Sequence, residues 1–420
     1  MNQTLFVSLK QQIKERLDLS STVSDAQLME LIEEVVFSIA AEQEWTSSEI
    51  HEGVKRIFNS FRGLDVLQPL LDDPTVSEIM VNGHENIFIE QKGAVQRYPY
   101  SFESEEKLED LIQTIVAKVN RIVNQGSPIV DARLKDGSRV NVVLPPASLG
   151  GPTITIRKFP EKPMHMMDLI RMGSITEQAA ELLQTMVESS CNVFIGGGTG
   201  SGKTTFLNAL SDWIPSDERI ITIEDSAELQ IQTVPNIVRM ETRNANTEGK
   251  GEITIRDLIR SSLRMRPNRI IVGEVRGAEA IDMLAAMNTG HDGSLSTGHA
   301  NSSMDMLSRL ETMVLSGAAL PVEVIRKQIA SALDVMIHLS RIRDRTRKVT
   351  EIHEVLGVVN GEVQLNPLFL FEDHGVTEDQ QVIGKLVYTG NSLHNMYKIQ
   401  MAGKRLPAWF RTAEREGATG

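Results

Sequence analysis

Only one cysteine, Cys191, occurs in 420 residues, which excludes an internal disulfide and any multi-cysteine metal site. The cysteine is expected to pack as a small apolar residue at the start of a buried strand. No uninterrupted apolar run approaches the roughly 18 residues a membrane span needs. Residues 1–19 mix Lys, Glu, Arg and Asp among apolar positions, unlike a secretory signal. The histidines have no further His/Cys cluster at zinc-ligand spacing. No Asn-Lys-x-Asp sequence occurs, which disfavours a GTPase. Positive charge is in deficit: 43 Lys and Arg against 56 Asp and Glu leave a formal charge of −13. That balance argues against a general nucleic-acid binder, although local basic patches survive any total. There are no internal repeats and no low-complexity tract. With 41% hydrophobic residues and a length beyond one compact core, the expectation is a soluble cytosolic protein of two or three domains.

What the chain does contain is centred on residues 191–205. Val193 to Ile195 reads as a buried strand, Gly197 through Thr204 fits G-x-x-x-x-G-K-[ST], and Phe206 to Ser211 reads as helical. That is the strand–loop–helix context of a phosphate-binding loop. Backbone N–H groups of Gly198, Thr199, Gly200, Ser201 and Gly202 are placed to curl around phosphate oxygens. The N-terminus of the following helix favours an anion. Lys203 reaches the β- and γ-phosphates, the Thr204 hydroxyl is a Mg²⁺ ligand, and Thr205 continues the first turn. The expected ligand is ATP with Mg²⁺.

Around this loop the chain divides by pattern. Residues 1–62 read as a helical module: Leu28, Leu31, Ile32, Val35, Val36 and Ile39 follow a 3.6-residue period. Ile50, Val54, Ile57 and Phe58 repeat it after a Ser47-Ser48-Glu49 cluster suited to capping. Residues 63–159 read as a small mixed α/β domain. Its strands are expected at Glu78–Gly83, Asn86–Glu90, Asp131–Leu134, Arg139–Val143 and Thr153–Arg157. Its helix carries Leu108, Leu111, Ile112, Ile115, Val116, Val119 and Ile122 on one face. Pro160 and Pro163 mark a linker, 160–172. Residues 173–348 alternate strand and helix, predicting a mostly parallel α/β sheet whose ligands collect at the carboxyl ends of the strands. Its strands are expected at Asn192–Ile195, Arg219–Ile223, Ile237–Met240, Arg269–Val272, Ser294–Thr297 and Asp334–Leu339, with a helix at Ile255–Met265. Residues 349–420 form a C-terminal extension with a hairpin about Asn360-Gly361, fraying after about Pro407.

Three clusters fall at strand ends: Glu224-Asp225, Gly273-Glu274, and the two Thr-Gly-His triplets ending in His291 and His299. A carboxylate there either holds Mg²⁺ or polarises the attacking water. Glu224 and Glu274 compete for the base role, and both are candidate metal ligands with Thr204. His291 and His299, on neighbouring loops at the nucleotide edge, are candidates for sensing the γ-phosphate or relaying its state.

Taken together, residues 196–205, the pair Glu224-Asp225, residues 270–277 and Thr297-Gly298-His299-Ala300-Asn301 resemble the type II/type IV secretion-system ATPases. There they correspond to the Walker A, Asp-box, Walker B and His-box segments. Residues 70–74, 78–83, 136–141, 145–146 and 155–159 extend the likeness through the smaller domain, and look most like the tight-adherence (Flp) pilus assembly ATPase of the CpaF type. The likeness spans roughly residues 64–339. It implies a RecA-like P-loop NTPase motor domain preceded by a smaller mixed α/β domain and an N-terminal helical segment. It further implies a homohexamer with nucleotide between the two domains, and contacts to inner-membrane platform proteins at the cytoplasmic face of the membrane. In that arrangement Arg139 and Arg157 occupy positions that reach the phosphates, and Arg133 is a third. Pilus-extension and type II enzymes commonly carry a four-cysteine zinc module, which one cysteine cannot build.

Two other readings stay open at this stage. Arg256, Arg260 and Arg264 recur every four residues, so a nucleic-acid translocase with a basic pore is one; a solvated or inter-subunit stripe is the simpler account, and no stable nucleic-acid partner is expected. A nucleotide-dependent scaffold with negligible turnover is the other.

Overall fold

The computed structural model describes residues 3–17, 23–91, 93–119, 121–134, 136–159, 162–245 and 249–410. The chain divides into two units, Met1–Glu161 and Lys162–Gly420.

The first unit opens with three helices, α1 (Gln3–Arg16), α2 (Asp25–Glu42) and α3 (Ser47–Arg62). Their apolar stripes close a core of their own from Phe6, Leu9, Ile13, Leu28, Ile32, Val35, Val36, Val54 and Ile57. Ser24 caps α2 in a reciprocal box with Gln27. The α3 cap lies one residue earlier than the serine cluster suggested: Thr46 takes the N-cap and exchanges hydrogen bonds with Glu49. Next come a short helix α4 (Gln68–Asp72), strands β1 (Val76–Asn82), β2 (Ile87–Gln91) and β3 (Ala94–Arg97), and helix α5 (Glu105–Ala117). Strands β4 (Ile129–Arg133), β5 (Arg139–Val143) and β6 (Thr153–Arg157) complete a six-stranded sheet in the order β3-β2-β1-β6-β5-β4. Leu108, Leu111, Ile112, Ile115 and Val116 of α5 are buried in this unit's core. The helix ends earlier than its apolar face implied: Arg121 N–H folds back onto Val116 O, and Ile122 lies exposed beyond the end.

The second unit begins with α6 (Met166–Arg171) and α7 (Glu177–Glu188). Strand β7 (Val193–Gly197), helix α8 (Lys203–Ser211), strands β8 (Arg219–Glu224) and β9 (Asn236–Glu241), helix α9 (Ile255–Ser262) and strand β10 (Arg269–Val275) follow. Then come α10 (Ala280–Met287), β11 (Leu295–Gly298), α11 (Ser303–Gly317), α12 (Val322–Ala332) and β12 (Val335–Arg341). The chain closes with β13 (Arg347–Val359), β14 (Glu362–Val376), β15 (Val382–Tyr388) and α13 (Tyr397–Met401). All pair in one sheet, β15-β14-β13-β12-β7-β11-β10-β8-β9. From β12 to β9 every pairing is parallel, and from β12 to β15 every pairing is antiparallel. The strand before the phosphate loop, β7, thus sits between β12 and β11, with β10 inserted before β8. This is the RecA-like order.

Local physics explains the departures from the sequence expectation. Helix α9 stops at Ser262, three residues short of Met265, because Arg264 and Met265 N–H turn back onto Ser261 and Ser262 carbonyls ahead of Pro267. Leu263, just past the helix end, is consequently exposed. The hairpin expected about Asn360-Gly361 is present, joining β13 to β14, and with β15 it extends the main sheet by three strands. The chain also does not fray at Pro407. Trp409 and Phe410 pack edge-on and tilted against Phe369 and Tyr388, and Phe410 is buried. Residues 411–420 lie outside the described residues. Cys191 is buried, and burial pushes its thiol up to about 12. Among the described residues, no helix is long and apolar enough to cross a membrane.

Candidate nucleotide site

Because β7 runs through Gly197, the loop begins at the carboxyl edge of the parallel sheet, where Gly198, Thr199 and Gly200 are exposed. Gly202 takes the α8 N-cap position at φ 96°, in the left-handed region where a side chain is disfavoured, and Lys203 is the first helical residue. The first-turn N–H groups of α8 therefore face the loop, with Thr204 and Thr205 half-buried beside them. The buried Lys203 ammonium donates to Gly197 O at 3.0 Å and Gly198 O at 3.2 Å. It also lies 3.2 Å from His299 Nδ1.

That last contact fixes the imidazole. An ammonium has no lone pair, so Nδ1 must accept and the ring proton sits on Nε2. Nε2 in turn lies 2.7 Å from Glu274 Oε1. Burial, followed by the Lys203 charge, holds His299 below its ordinary value despite Glu274, and this favours the neutral ring. His299 stands just past β11 and Glu274 lies inside β10; these strands are adjacent, and Thr297 Oγ1 donates to Gly273 O at 2.7 Å between them. Glu274 Oε2 accepts from Arg276 Nη2 at 2.8 Å, while Arg276 also approaches Asp225 Oδ2 at 3.5 Å. All three strand-end clusters therefore connect to the phosphate loop, with Lys203 and Arg276 as the linking cations.

Glu224 ends β8 and is 3% exposed. Its Oε1 accepts from Glu228 N–H at 2.8 Å and Leu229 N–H at 3.0 Å; its Oε2 is buried and accepts no hydrogen bond. Burial pushes this carboxyl up to about 7 against the pull of those two backbone donors. A carboxyl so poised near neutrality can take and return a proton.

Among the described residues, no three His, Cys, Asp or Glu side chains could hold a metal on their own. A divalent cation bound with a nucleotide would take phosphate oxygens and water among its ligands, as Mg²⁺ commonly does. Thr204, and Glu274 at the edge of the phosphate loop's histidine contact, fit such a shared site.

Not every candidate joins this cluster. His291 precedes β11 by four residues while His299 follows it, so the two lie at opposite edges of the sheet, separated by a strand rising about 3.3 Å per residue. The expectation that both line the nucleotide edge is corrected: His291 Nδ1 instead meets Ala286 O at 3.2 Å. Equal Thr-Gly-His spelling hid this, because the triplets flank one strand rather than ending two. Arg256 and Arg260 both pair with Asp282, at 2.6 and 3.0 Å, which offsets part of the charge considered for a basic pore. Arg133, Arg139 and Arg157 belong to the first unit. There Arg139 is the cross-strand partner of both others, and Glu78 follows Arg157 in the row. Burial raises the Glu78 carboxyl while Arg157 opposes the rise. Three arginines in one cross-strand row concentrate positive charge in a way that suits an anionic ligand.

Two residues at the site were missed from sequence. Arg276 shares a strand edge with Glu274, a period-two signal that was legible. Arg347 donates from Nε to Gly200 O at 2.9 Å across 147 residues, and no local pattern announces that contact.

The family model described as type II/IV secretion system protein matches residues 61–400. A Mycobacterium tuberculosis protein named for conjugal transfer is 33% identical over 346 residues, covering 81% of this chain and 97% of its own. The type IV secretion system protein VirB11 of Brucella suis is 34% identical over 328 residues, covering 71% of this chain and 91% of its own. The solved structure of the Brucella suis VirB11 ATPase, in complex with sulphate, is 32% identical, with 69% of this chain and 95% of that one covered at a TM-score of 0.37. This chain belongs to the type II/IV secretion system protein family, among its ATPases.

Proposed function

We propose that this ATPase is a homohexameric motor that hydrolyses Mg-ATP to drive assembly of a tight-adherence, type IV-like pilus, or the related secretion step, from the cytoplasmic face of the membrane. Its partners would be inner-membrane platform proteins. The observation that carries the reading is the Lys203–His299–Glu274 chain, which connects the phosphate loop to the acidic strand beside it. In this scheme Lys203 and the loop N–H groups hold the phosphates, and Thr204 and Glu274 hold the cation. Bound Mg²⁺ would neutralise charge on the phosphate oxygens. Glu224, buried and poised near neutrality, accepts the proton of the attacking water. His299, in contact with Lys203 on one side and Glu274 on the other, reports phosphate occupancy to Glu274. The arginine row of the first unit supplies further positive charge for the phosphates.

The corresponding test is made in the native host. Replacing the chromosomal copy with Lys203→Ala should leave the protein present but abolish surface pili or the exported product. Pili at the parental level would refute the motor reading. The translocase alternative is less favoured, since Arg256 and Arg260 share the Asp282 carboxylate, and ATPase stimulation by DNA would revive it. A scaffold would show tight nucleotide binding with turnover indifferent to Glu224→Gln and Glu274→Gln.

A further inference from the structure

Residues 341–348 read Arg-Ile-Arg-Asp-Arg-Thr-Arg-Lys, four arginines at alternate positions in a chain of formal charge −13. They form the connection between β12 and β13. The turn is closed by Arg345 N–H to Ile342 O at 2.8 Å and Ile342 N–H to Thr346 O at 2.9 Å. Asp344 fastens it further: Oδ1 accepts from the Thr346 N–H and hydroxyl at 2.8 and 2.6 Å, and Oδ2 accepts from Val382 N–H of β15 at 2.9 Å. Arg347, the first residue of β13, leaves this braced turn toward the phosphate loop.

Its Nε–H donates to Gly200 O at 2.9 Å, and its Cδ lies 3.3 Å from where a Cβ on Gly202 would stand. Gly200 and Gly202 have φ of 70° and 96°, so this stretch of loop is built from glycines with wide conformational freedom. A trans peptide points its C=O and N–H in opposite directions. Holding the Gly200 carbonyl toward Arg347 therefore holds the Ser201 N–H on the far side, where it meets Gly198 O at 3.3 Å. One hydrogen bond thus sets the orientation of a peptide in the loop and places a guanidinium charge beside it.

We propose that Arg347 is a positioning residue for the phosphate loop. It acts through the Gly200–Ser201 peptide, and through Asp344 it makes the loop's grip on phosphate depend on the antiparallel strands β13 to β15. The inference rests on reading Gly197–Thr204 as the nucleotide loop.

The test compares the full-length parent with Arg347→Met, which keeps the stem but loses the donor and charge, and Arg347→Lys, which keeps a donor and charge. Three quantities are measured: the Kd of ADP by calorimetry, KM and kcat for Mg-ATP, and amide hydrogen exchange across residues 198–204. The Met variant should weaken ADP and raise KM about tenfold, with kcat within about threefold, as expected for one lost charge-assisted hydrogen bond acting on binding. Its loop amides should exchange faster, and the Lys variant should recover most of the loss. ADP binding by the Met variant within twofold of the parent, with unchanged loop exchange, overturns the inference alone. A parent that does not bind ADP overturns the nucleotide reading and this inference with it.

Discussion

Glu224 lies directly against Gly273: a Cβ built on that glycine would meet Glu224 Cγ at 2.8 Å. The two residues are on adjacent parallel strands, β8 and β10. Glycine at 273 is therefore required by space, and it sets where the buried carboxylate stands.

Gly273→Ala should displace Glu224 while leaving the phosphate loop intact. Misplacing a catalytic group by about 1 Å can cost on the order of a hundredfold in rate. The expected result is a kcat loss of that order with ADP affinity within about threefold of the parent. Turnover within twofold of the parent would show that Glu224's position does not matter to the reaction.

The Glu224 carboxyl also predicts a pH dependence of stability. Its folded value of about 7 lies above the ordinary 4.5, so its contribution to stability is fully present below pH 4.5 and is lost as pH rises through 7. Between those limits the change is roughly 3 kcal/mol. In the nucleotide-free protein, Glu224→Gln should flatten the fall in Tm between pH 5 and pH 8. Parallel Tm–pH curves for the two proteins would contradict the burial argument.

The two neighbours of His299 pull its titration in opposite directions. Lys203 lowers its pKa and Glu274 raises it. By NMR of the imidazole, Lys203→Met should shift the titration upward and Glu274→Gln should shift it downward. Shifts of the same sign would break the proposed chain.

Much of this was legible in the sequence because it is encoded locally. Six apolar runs correspond to the six parallel strands, and the Gly197–Thr204 pattern announces its own strand, loop and helix. Glu224 and Glu274 fall at neighbouring strands of the sheet, close to where the alternating pattern put them. What stayed hidden depends on tertiary placement. The triplet at His291 looks identical to that at His299, yet parallel strand pairing sends the two to opposite edges. Trp409 and Phe410 sit in a polar-looking tail and are held by distant partners, the rings of Phe369 and Tyr388 and the Glu181 carboxylate. Arg347 reaches Gly200 because β12 and β13 form a hairpin beside β7, a register that no short window carries.

Steady-state hydrolysis of Mg-ATP by the purified full-length chain, measured beside Lys203→Ala and Glu224→Gln, tests the central claim most directly. Mg²⁺-dependent turnover by the parent is expected to fall about a hundredfold or more in each variant, with Glu224→Gln still binding ATP. A parent without Mg²⁺-dependent turnover, or variants that hydrolyse ATP at the parental rate, would contradict it.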